Sequence, residues 1–232
     1  MISFIVPAHN EERLLASTLS ALHQAAEALA QPFEIIVVDD ASDDATADIA
    51  RACAATVLAV AHRHIAATRN AGAALARGGR LVFVDADTRV DQAVLRAAMQ
   101  AMDDGAVGGG VAVKLEGNVS LQARLAAGFF AWMFRLTRIA PGCFLFCTRA
   151  AFDAVGGFDQ TYYAGEDVAM SRALARLGRF VILREAVHTS ARKLHTFSAK
   201  EHLQLALRFL WKRQRMLRSR EHLGLWYGKR RD

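Results

Sequence analysis

The chain has 232 residues, of which 53% are hydrophobic and 22% are charged. This length suits one domain with a substantial core, and this composition excludes a wholly disordered chain. The net charge of +6 is unevenly placed, because the segment from Arg192 onward holds twelve Lys or Arg against three Asp or Glu. The rest of the chain holds seventeen basic and twenty acidic residues. The tail is therefore the candidate for binding an anionic partner.

Short apolar runs alternate with helical patterns in the first part of the chain. Strands are predicted over 2–6 and 34–38, and each ends in a polar turn that leads into a helix. In the first turn, Asn10 is a candidate helix cap, with acidic residues after it. This alternation predicts right-handed βαβ units and a parallel sheet. Ligands of such sheets bind outside the carboxyl ends of the strands, so polar residues there are candidate site residues.

The apolar run 81–84 leads directly into Asp85, Ala86 and Asp87. Side chains two residues apart on a strand point the same way, so the two carboxylates are expected to face one point. Neighbouring carboxylates repel unless a cation or a hydrogen-bond donor lies between them. Mg²⁺ or Mn²⁺, held by one or two carboxylates and by substrate phosphates, meets that need. A loop with two solvated acids is the alternative.

The remaining elements are predicted from the same patterns. Helices are predicted over 63–77, 91–102 and 168–177, and strands over 56–60, 108–114, 143–148 and 179–183. The segment 121–139 has an apolar core of about ten residues, bounded by Arg124 and Arg135, which is too short to span a bilayer. It is predicted to be a buried helix, with a helix that lines an acceptor site or enters a membrane surface as the alternative.

The cysteine content points to a reducing compartment. Three cysteines are an odd number and form no dense disulfide framework. The N-terminus lacks a basic segment followed by a long apolar run, so no signal peptide is expected. A cytoplasmic location is therefore predicted.

Five motifs occur in a fixed order, and together they carry a family resemblance. They are Ile5–Glu11, Val37–Asp44, Ala67–Gly72, Phe83–Asp87, and Gly156–Asp159 followed by Gly165–Asp167. In this order they resemble the family 2 glycosyltransferases of the GT-A fold. The resemblance covers residues 1–192. The stretch 187–193, with its Thr-Ser-Ala-Arg sequence, resembles the end of a small bacterial subgroup of that family.

The resemblance implies an α/β fold of three layers, with a mostly parallel central sheet. It also implies a nucleotide diphosphate sugar donor and a divalent cation, Mn²⁺ or Mg²⁺, as cofactor. The donor-binding positions that it implies are Pro7, Ala8, Glu11, Asp40, Arg69, Asp85, Ala86, Asp87, Glu166 and Arg192.

Individual roles follow from the same resemblance. Asp40 is expected to hydrogen-bond the base or the ribose, and Asp85 to contact the ribose. Asp87 is expected to hold the metal that bridges the diphosphate. His188 is a second candidate metal ligand, because a neutral imidazole is an acceptable donor; an ordinary surface histidine is the alternative. For Asp43, helix N-capping is the expected role.

Glu166 and Asp167 precede a predicted helix. Acids at that place complement the helix dipole, which is one interpretation of the pair. The resemblance implies the other, in which Asp167 is the general base that takes the proton from the acceptor hydroxyl.

The predicted activity is therefore an inverting transfer of a sugar to a hydroxyl of an unknown acceptor. The motif Gln-x-x-Arg-Trp of processive members is absent, since Gln204 and Arg208 are separated by three residues. A nucleotidyltransferase is an alternative, but it needs a Gly-rich, Lys-bearing loop after the first strand. The other alternative is a non-catalytic nucleotide-sugar binder. The chain retains both Asp167, the expected base, and Asp87, the expected metal ligand, and this counts against such a binder.

Residues 193–232 are predicted to form a basic helical extension. Leu203, Leu207, Leu210 and Leu217 share helical spacing, with Lys and Arg clustered nearby. Such a helix binds anionic membrane, which would place the protein peripherally on the inner face of the cell membrane near a lipid-linked acceptor. A helix packed on the catalytic domain is the alternative. Nucleic acid is not an expected partner, because the rest of the chain has no basic excess.

Overall fold

The computed structural model describes residues 1–116, 137, 139–140 and 142–190. Within these ranges the strands are β1 Ile2–Ala8, β2 Phe33–Asp40, β3 Thr56–Val60, β4 Arg80–Val84, β5 Thr88–Arg89, β6 Gly108–Glu116, β7 Phe144–Thr148 and β8 Phe180–Ser190. The helices are α1 Leu15–Glu27, α2 Thr46–Ala52, α3 Ile65–Leu75, α4 Gln92–Asp103, α5 Arg149–Ala154 and α6 Glu166–Leu177.

The eight strands form one sheet in the order β3-β2-β1-β4-β7-β6-β8-β5. Strands β1 to β4 are parallel, β7 is antiparallel to both β4 and β6, and β8 is parallel to β6. The two-residue β5 is antiparallel to β8. Only β5 and β7 among the described strands therefore oppose the common direction, and the predicted mostly parallel sheet is confirmed.

Apolar side chains cover both faces of the sheet. On one face Phe4 and Val6 of β1 pack with residues of α1 and α4 such as Leu19 and Leu95. On the other face Ile5 packs with residues of β4, α3, α5 and α6. Neighbouring residues of one strand thus enter different cores, as the period of two requires. The result is the predicted three-layer α/β arrangement.

Helix α3 lies unusually close to the sheet at Gly72. A Cβ atom built there would lie 2.5 Å from Cγ2 of Ile5 and 2.7 Å from Cγ2 of Val38. A glycine inside a helix costs about 1 kcal/mol relative to alanine. Here the absence of a side chain allows α3 to lie close to β1 and β2. This contact fixes the distance of α3 from the strands that carry the candidate site.

Two local predictions are wrong. Helix α1 begins at Leu15, and the predicted cap Asn10 instead has a left-handed backbone with φ 53°. Asp43 does not cap α2, because its Oδ1 accepts a hydrogen bond from Asn10 Nδ2 at 2.5 Å. Asp44 accepts the hydrogen bond from the N–H of Thr46, at 2.9 Å. Pairing between the two loops therefore displaces both expected caps.

The helix predicted over 121–139 and the helical extension predicted over 193–232 fall almost wholly outside the described residues. Among those that are described, no helix has the length and apolar character needed to cross a membrane.

Candidate active site

The carboxyl ends of β1, β2 and β4, with the residues that follow each strand, form the donor edge. In the register of β1 and β2, Pro7 pairs with Val38 and Ala8 with Asp39. Pro7 and Ala8 are both buried, and so is Glu11. The N–H of Glu11 donates to Oγ1 of Thr46 at 2.8 Å, which attaches this turn to α2. The predicted residues of β1 and β2 thus lie side by side.

Sharp turns follow the first three parallel strands. Asn10, Ala41 and Arg63 have φ values of 53°, 57° and 49°, in the left-handed region that is uncommon for residues other than glycine. Two further described residues of this kind, Ala30 and Ala54, follow helices, where such a conformation commonly ends a helix. The three strand-end cases instead place backbone strain at the edge where ligands are expected.

Asp40 is buried at the end of β2, and both of its carboxylate oxygens accept hydrogen bonds from the loop and first turn of α3. Its Oδ1 accepts from the N–H of Arg63 at 2.8 Å, and its Oδ2 accepts from the N–H of His64 at 3.1 Å and from Oγ1 of Thr68 at 2.8 Å. Burial acts to raise the pKa of Asp40, but these donors outweigh it and lower the pKa. Asp40 therefore attaches the start of α3 to the donor edge, a role that sequence reasoning missed.

Arg69 joins the donor edge to Glu166, the residue before the predicted base. Its Nη2 donates to Oδ1 of Asp85 at 2.9 Å and to the carbonyl oxygen of Gly142 at 2.8 Å. Its Nη1 donates to Oε1 of Glu166 at 2.7 Å. Its guanidinium also lies 5.2 Å from the ring centroid of Phe158. We call Arg69, Asp85, Gly142 and Glu166 the Arg69 cluster.

The Arg69 side chain is only 3% exposed, and the carboxylates of Asp85 and Glu166 balance its charge. Two predicted site acids, Asp85 and Glu166, are therefore partners of a third predicted residue. No spacing in the sequence indicates these pairs, since they join residues 16 and 97 positions apart. The Gly142 carbonyl is a partner that sequence reasoning also missed.

Asp167 lies in the first turn of α6, directly after Glu166. Burial raises the pKa of Asp167 to about 7, and the neighbouring charge of Glu166 acts in the same direction. The positive charge of Arg69 acts in the opposite direction. A carboxylate whose pKa lies near neutrality can take up a proton during a reaction and release it afterwards. The electrostatics therefore suit the predicted general base.

The backbone at Gly142 packs directly on the Asp167 carboxylate. A Cβ atom built at Gly142 would lie 2.9 Å from Oδ2 of Asp167. The other oxygen, Oδ1, accepts a hydrogen bond from the N–H of Val168 at 2.8 Å. These neighbours restrict the orientation of the carboxylate.

The two predicted metal ligands belong to neighbouring segments of the sheet, because β5 pairs with β8. Asp87 is buried in the turn before β5, and in the next pairs of the ladder Thr88 faces Thr189 and Arg89 faces His188. Ala86 is also buried and packs into the core. His188 lies within β8, which extends beyond its predicted end at residue 183.

The donor chemistry of Asp87 and His188 fits Mn²⁺ or Mg²⁺ only in part. Carboxylate and imidazole are acceptable ligands, and these ions take further oxygens from substrate phosphates. Within the described ranges, no group of three or more His, Cys, Asp or Glu side chains is arranged to hold a metal. A complete coordination shell would therefore need the diphosphate of a substrate. Arg192 falls outside the described residues.

The sequence is similar to parts of longer proteins. It is 32% identical over 112 residues to glycosyltransferase AglD of Haloferax volcanii, and this match covers 45% of this chain and 18% of that protein. It is 31% identical over 114 residues to the undecaprenyl-phosphate 4-deoxy-4-formamido-L-arabinose transferase of Aeromonas hydrophila, which covers 44% of this chain and 35% of that protein. Each match spans well under half of the relative.

The fold is similar to that of solved structures. Staphylococcus aureus TarS 1-349 superposes with a TM-score of 0.64 at 19% identity, over 97% of this chain and 77% of that chain. Mannosyltransferase PcManGT from Pyrobaculum calidifontis, in complex with GDP-Man and Mn²⁺, gives a TM-score of 0.67 at 19% identity, over 89% and 64%. These likenesses confirm the GT-A fold class.

A family model matches residues 3–156, and its description is glycosyl transferase family 2. The matched segment includes the donor edge, Arg69 and Gly142, and it ends before Glu166 and Asp167. Because this match covers well over half of the chain, the protein belongs to glycosyl transferase family 2.

Proposed function

We propose that the protein transfers a sugar from a nucleotide diphosphate sugar to an acceptor hydroxyl, with inversion at the anomeric carbon. The observation that carries this proposal is the Arg69 cluster, in which Arg69 pairs with Asp85 of the donor edge and with Glu166, the residue before Asp167. A transferase needs both parts, because the donor and the attacking hydroxyl must meet at one carbon. The family membership supports the same conclusion.

In the proposed reaction, Asp167 accepts the proton of the acceptor hydroxyl while the hydroxyl oxygen attacks the anomeric carbon. The bond from that carbon to the diphosphate oxygen breaks as the new bond forms, and the nucleoside diphosphate leaves. Asp87, with His188 as a candidate partner, would hold a divalent cation whose charge stabilises the departing diphosphate. The Asp167 proton is lost to solvent before the next turnover.

The donor edge supplies the proposed nucleotide site. Asp85 is expected to contact the ribose, and Asp40 the ribose or the base. The remaining proposed donor contacts are Pro7, Ala8, Glu11, Arg69, Ala86, Glu166 and Arg192.

The reaction is tested by incubating the full chain with a panel of nucleotide diphosphate sugars and Mn²⁺ or Mg²⁺. Release of a nucleoside diphosphate that increases with added acceptor is the expected result. Release of inorganic pyrophosphate would instead indicate nucleotidyl transfer. Tight binding of a donor without turnover, across a broad set of acceptors, would indicate a nucleotide-sugar binder.

Metal dependence is tested by Asp87→Asn. We expect this change to abolish transfer and to weaken the affinity for nucleoside diphosphate in the presence of Mn²⁺, measured by calorimetry, because a neutral amide is a poorer ligand than a carboxylate. Asp91→Asn is the matched control. Asp91 caps α4 by accepting a hydrogen bond from Val94, and asparagine is an equally good cap. Equal Mn²⁺-dependent affinity in the Asp87 variant and the wild type would contradict the prediction.

We further propose that the acceptor is lipid-linked and that the basic tail brings the protein to an anionic membrane surface. The relative from Aeromonas hydrophila is named as an undecaprenyl-phosphate transferase, which supports an acceptor of this kind. The tail from Arg192 onward carries twelve basic residues. Each Lys or Arg near an anionic surface contributes about 1 kcal/mol to binding.

Co-sedimentation with liposomes tests the membrane proposal. The full chain is expected to sediment with vesicles that contain anionic lipid, and binding should fall as salt is added because charge attraction is screened. Truncation after Arg192 should remove binding. If the full chain stays in the supernatant equally with neutral and anionic vesicles, the tail is a structural extension instead.

A further inference from the structure

Asn70, the residue after Arg69, bonds to the loop 156–160, which precedes the predicted base Asp167. Its Nδ2 donates to the carbonyl oxygen of Phe158 at 2.9 Å, and its Oδ1 accepts from the N–H of Phe158 at 2.9 Å. One amide side chain thus pairs with both backbone polar groups of one residue. Phe158 is only 2% exposed, so these bonds fix a buried segment of backbone.

The loop has no room to move toward Asn70. Gly157 has φ 76°, and a Cβ atom built there would lie 2.8 Å from Oδ1 of Asn70 and 3.2 Å from Cζ of Phe152. Only glycine fits this conformation and this contact. The backbone of the loop therefore lies directly on the Asn70 amide.

The Phe158 ring transmits this constraint to the Arg69 cluster. Its ring centroid lies 5.2 Å from Cζ of Arg69, in a cation–π contact. It also packs edge-to-face on Phe83 of β4, with centroids 4.9 Å apart. Phe83 lies two residues before Asp85, so the Phe158 ring contacts both the Arg69 guanidinium and the strand that leads to Asp85.

We infer that Asn70 is a positioning residue for the base. By fixing the backbone of Phe158, it holds the ring that contacts Arg69, and thereby the position of the Arg69 charge that pairs with Glu166 and acts on Asp167. This inference rests on the proposed sugar transfer only for the role of Asp167 as base. The effect of Asn70 on the surroundings of the Asp167 carboxylate can be measured without any substrate.

Besides burial, three charged groups of the described residues act on the pKa of Asp167. They are Glu166 on its own helix, Arg69 on α3 and Asp85 at the donor edge. The two acids raise the pKa of Asp167 and Arg69 lowers it, while the N–H of Val168 donates to it and also lowers it. If Arg69 loses its support, its stabilising charge moves away, and Asp167 should hold its proton to higher pH.

The test compares Asn70→Ala with the wild-type chain and with Gln160→Ala. Gln160 is an exposed amide in the same loop and serves as the matched control. The Asp167 titration is followed by NMR of ¹³C-labelled Asp carboxyl groups, with its signal assigned from the Asp167→Asn variant. In Asn70→Ala the midpoint should rise, by less than the roughly 1–3 units that an adjacent charge can produce. Gln160→Ala should leave it unchanged.

Kinetics give the second measurement. In Asn70→Ala we expect kcat to fall by about 10²-fold, the usual effect of a displacement near 1 Å. The acid limb of the kcat profile should move to higher pH, and the KM for donor should change little. Phe158→Leu keeps the backbone bonds of Asn70 but removes the ring, and it should shift the titration in the same direction. That variant replaces Asn70→Ala in both measurements if the latter does not fold.

An unchanged Asp167 midpoint in both folded variants would overturn the inference. A rise in KM for donor at constant kcat would also overturn it, because Asn70 would then act on donor binding. If the wild type transfers no sugar yet the midpoint rises, the proposed function fails while the positioning role stands. The two proposals therefore have separate outcomes.

Discussion

Replacing Asp167 by Asn is expected to lower kcat by about 10²–10⁴-fold, the usual contribution of a general base. Asparagine keeps the shape of the side chain but cannot accept the hydroxyl proton. Donor affinity, measured by calorimetry, should stay near the wild-type value. Asp159→Asn is the matched control, because Asp159 is exposed and its contact with the N–H of Thr161 survives the change. Loss of donor affinity with unchanged kcat would make Asp167 a binding residue instead.

The raised pKa of Asp167 adds two pH effects to this prediction. Since the group titrates at about 7, wild-type kcat should fall as the pH drops below that value. In the unfolded chain the pKa of this group is near its ordinary value of 3.8, so between about 4 and 7 Asp167 binds more protons in the native state than in the unfolded state. The contribution of Asp167 to native stability should therefore decrease as the pH rises through this window. Urea unfolding at pH 5 and pH 8 should show a smaller decrease in Asp167→Asn.

The second large effect concerns stability. Arg69→Met is expected to reduce the free energy of unfolding by about 3–5 kcal/mol, because it leaves the buried Glu166 and the partly buried Asp85 without their cation. The side chains of Arg69 and Glu166 are 3% and 9% exposed. The measurement is urea unfolding followed by circular dichroism.

Arg77→Met is the control for that comparison. Arg77 pairs with Glu34, but its side chain is 76% exposed, so its loss should cost less than about 1 kcal/mol. Adding Glu166→Gln to Arg69→Met should restore part of the lost stability, since the uncompensated charge is removed. Similar losses in the two arginine variants would mean that the buried pairs contribute no more than a surface pair.

The donor edge could be predicted from sequence because its signals are local. An apolar run followed by polar residues indicates where a strand ends, as near Asp40 and at Val84, and parallel strands place such ends together. The position of Asp167 in the first turn of a helix follows from equally local patterns. The motifs then added roles to residues whose placement was already expected.

The partners of Arg69 and Asp40 could not be predicted in the same way. Periodicity shows which face of a helix is buried, but it does not show which residue of another element lies opposite. The antiparallel insertion of β7 between β4 and β6 is likewise a property of long-range pairing. Strand β8 extends past residue 183 because its pairing with β6 resumes at Ala186, after an irregularity in the ladder that includes Arg184 and Glu185, where the apolar run ends.

The contact between Arg69 and Glu166 has a consequence for the order in which the protein folds. The two residues are 97 positions apart, and closing a flexible loop of that length costs about 4 kcal/mol in chain entropy. A pair with that cost forms only after other strands have brought its ends together. Synthesis from the N-terminus delivers β1 to β4 before α6. We therefore expect the nascent chain to build the strands of the donor edge first, and to add α6, which carries the proposed base, late in folding.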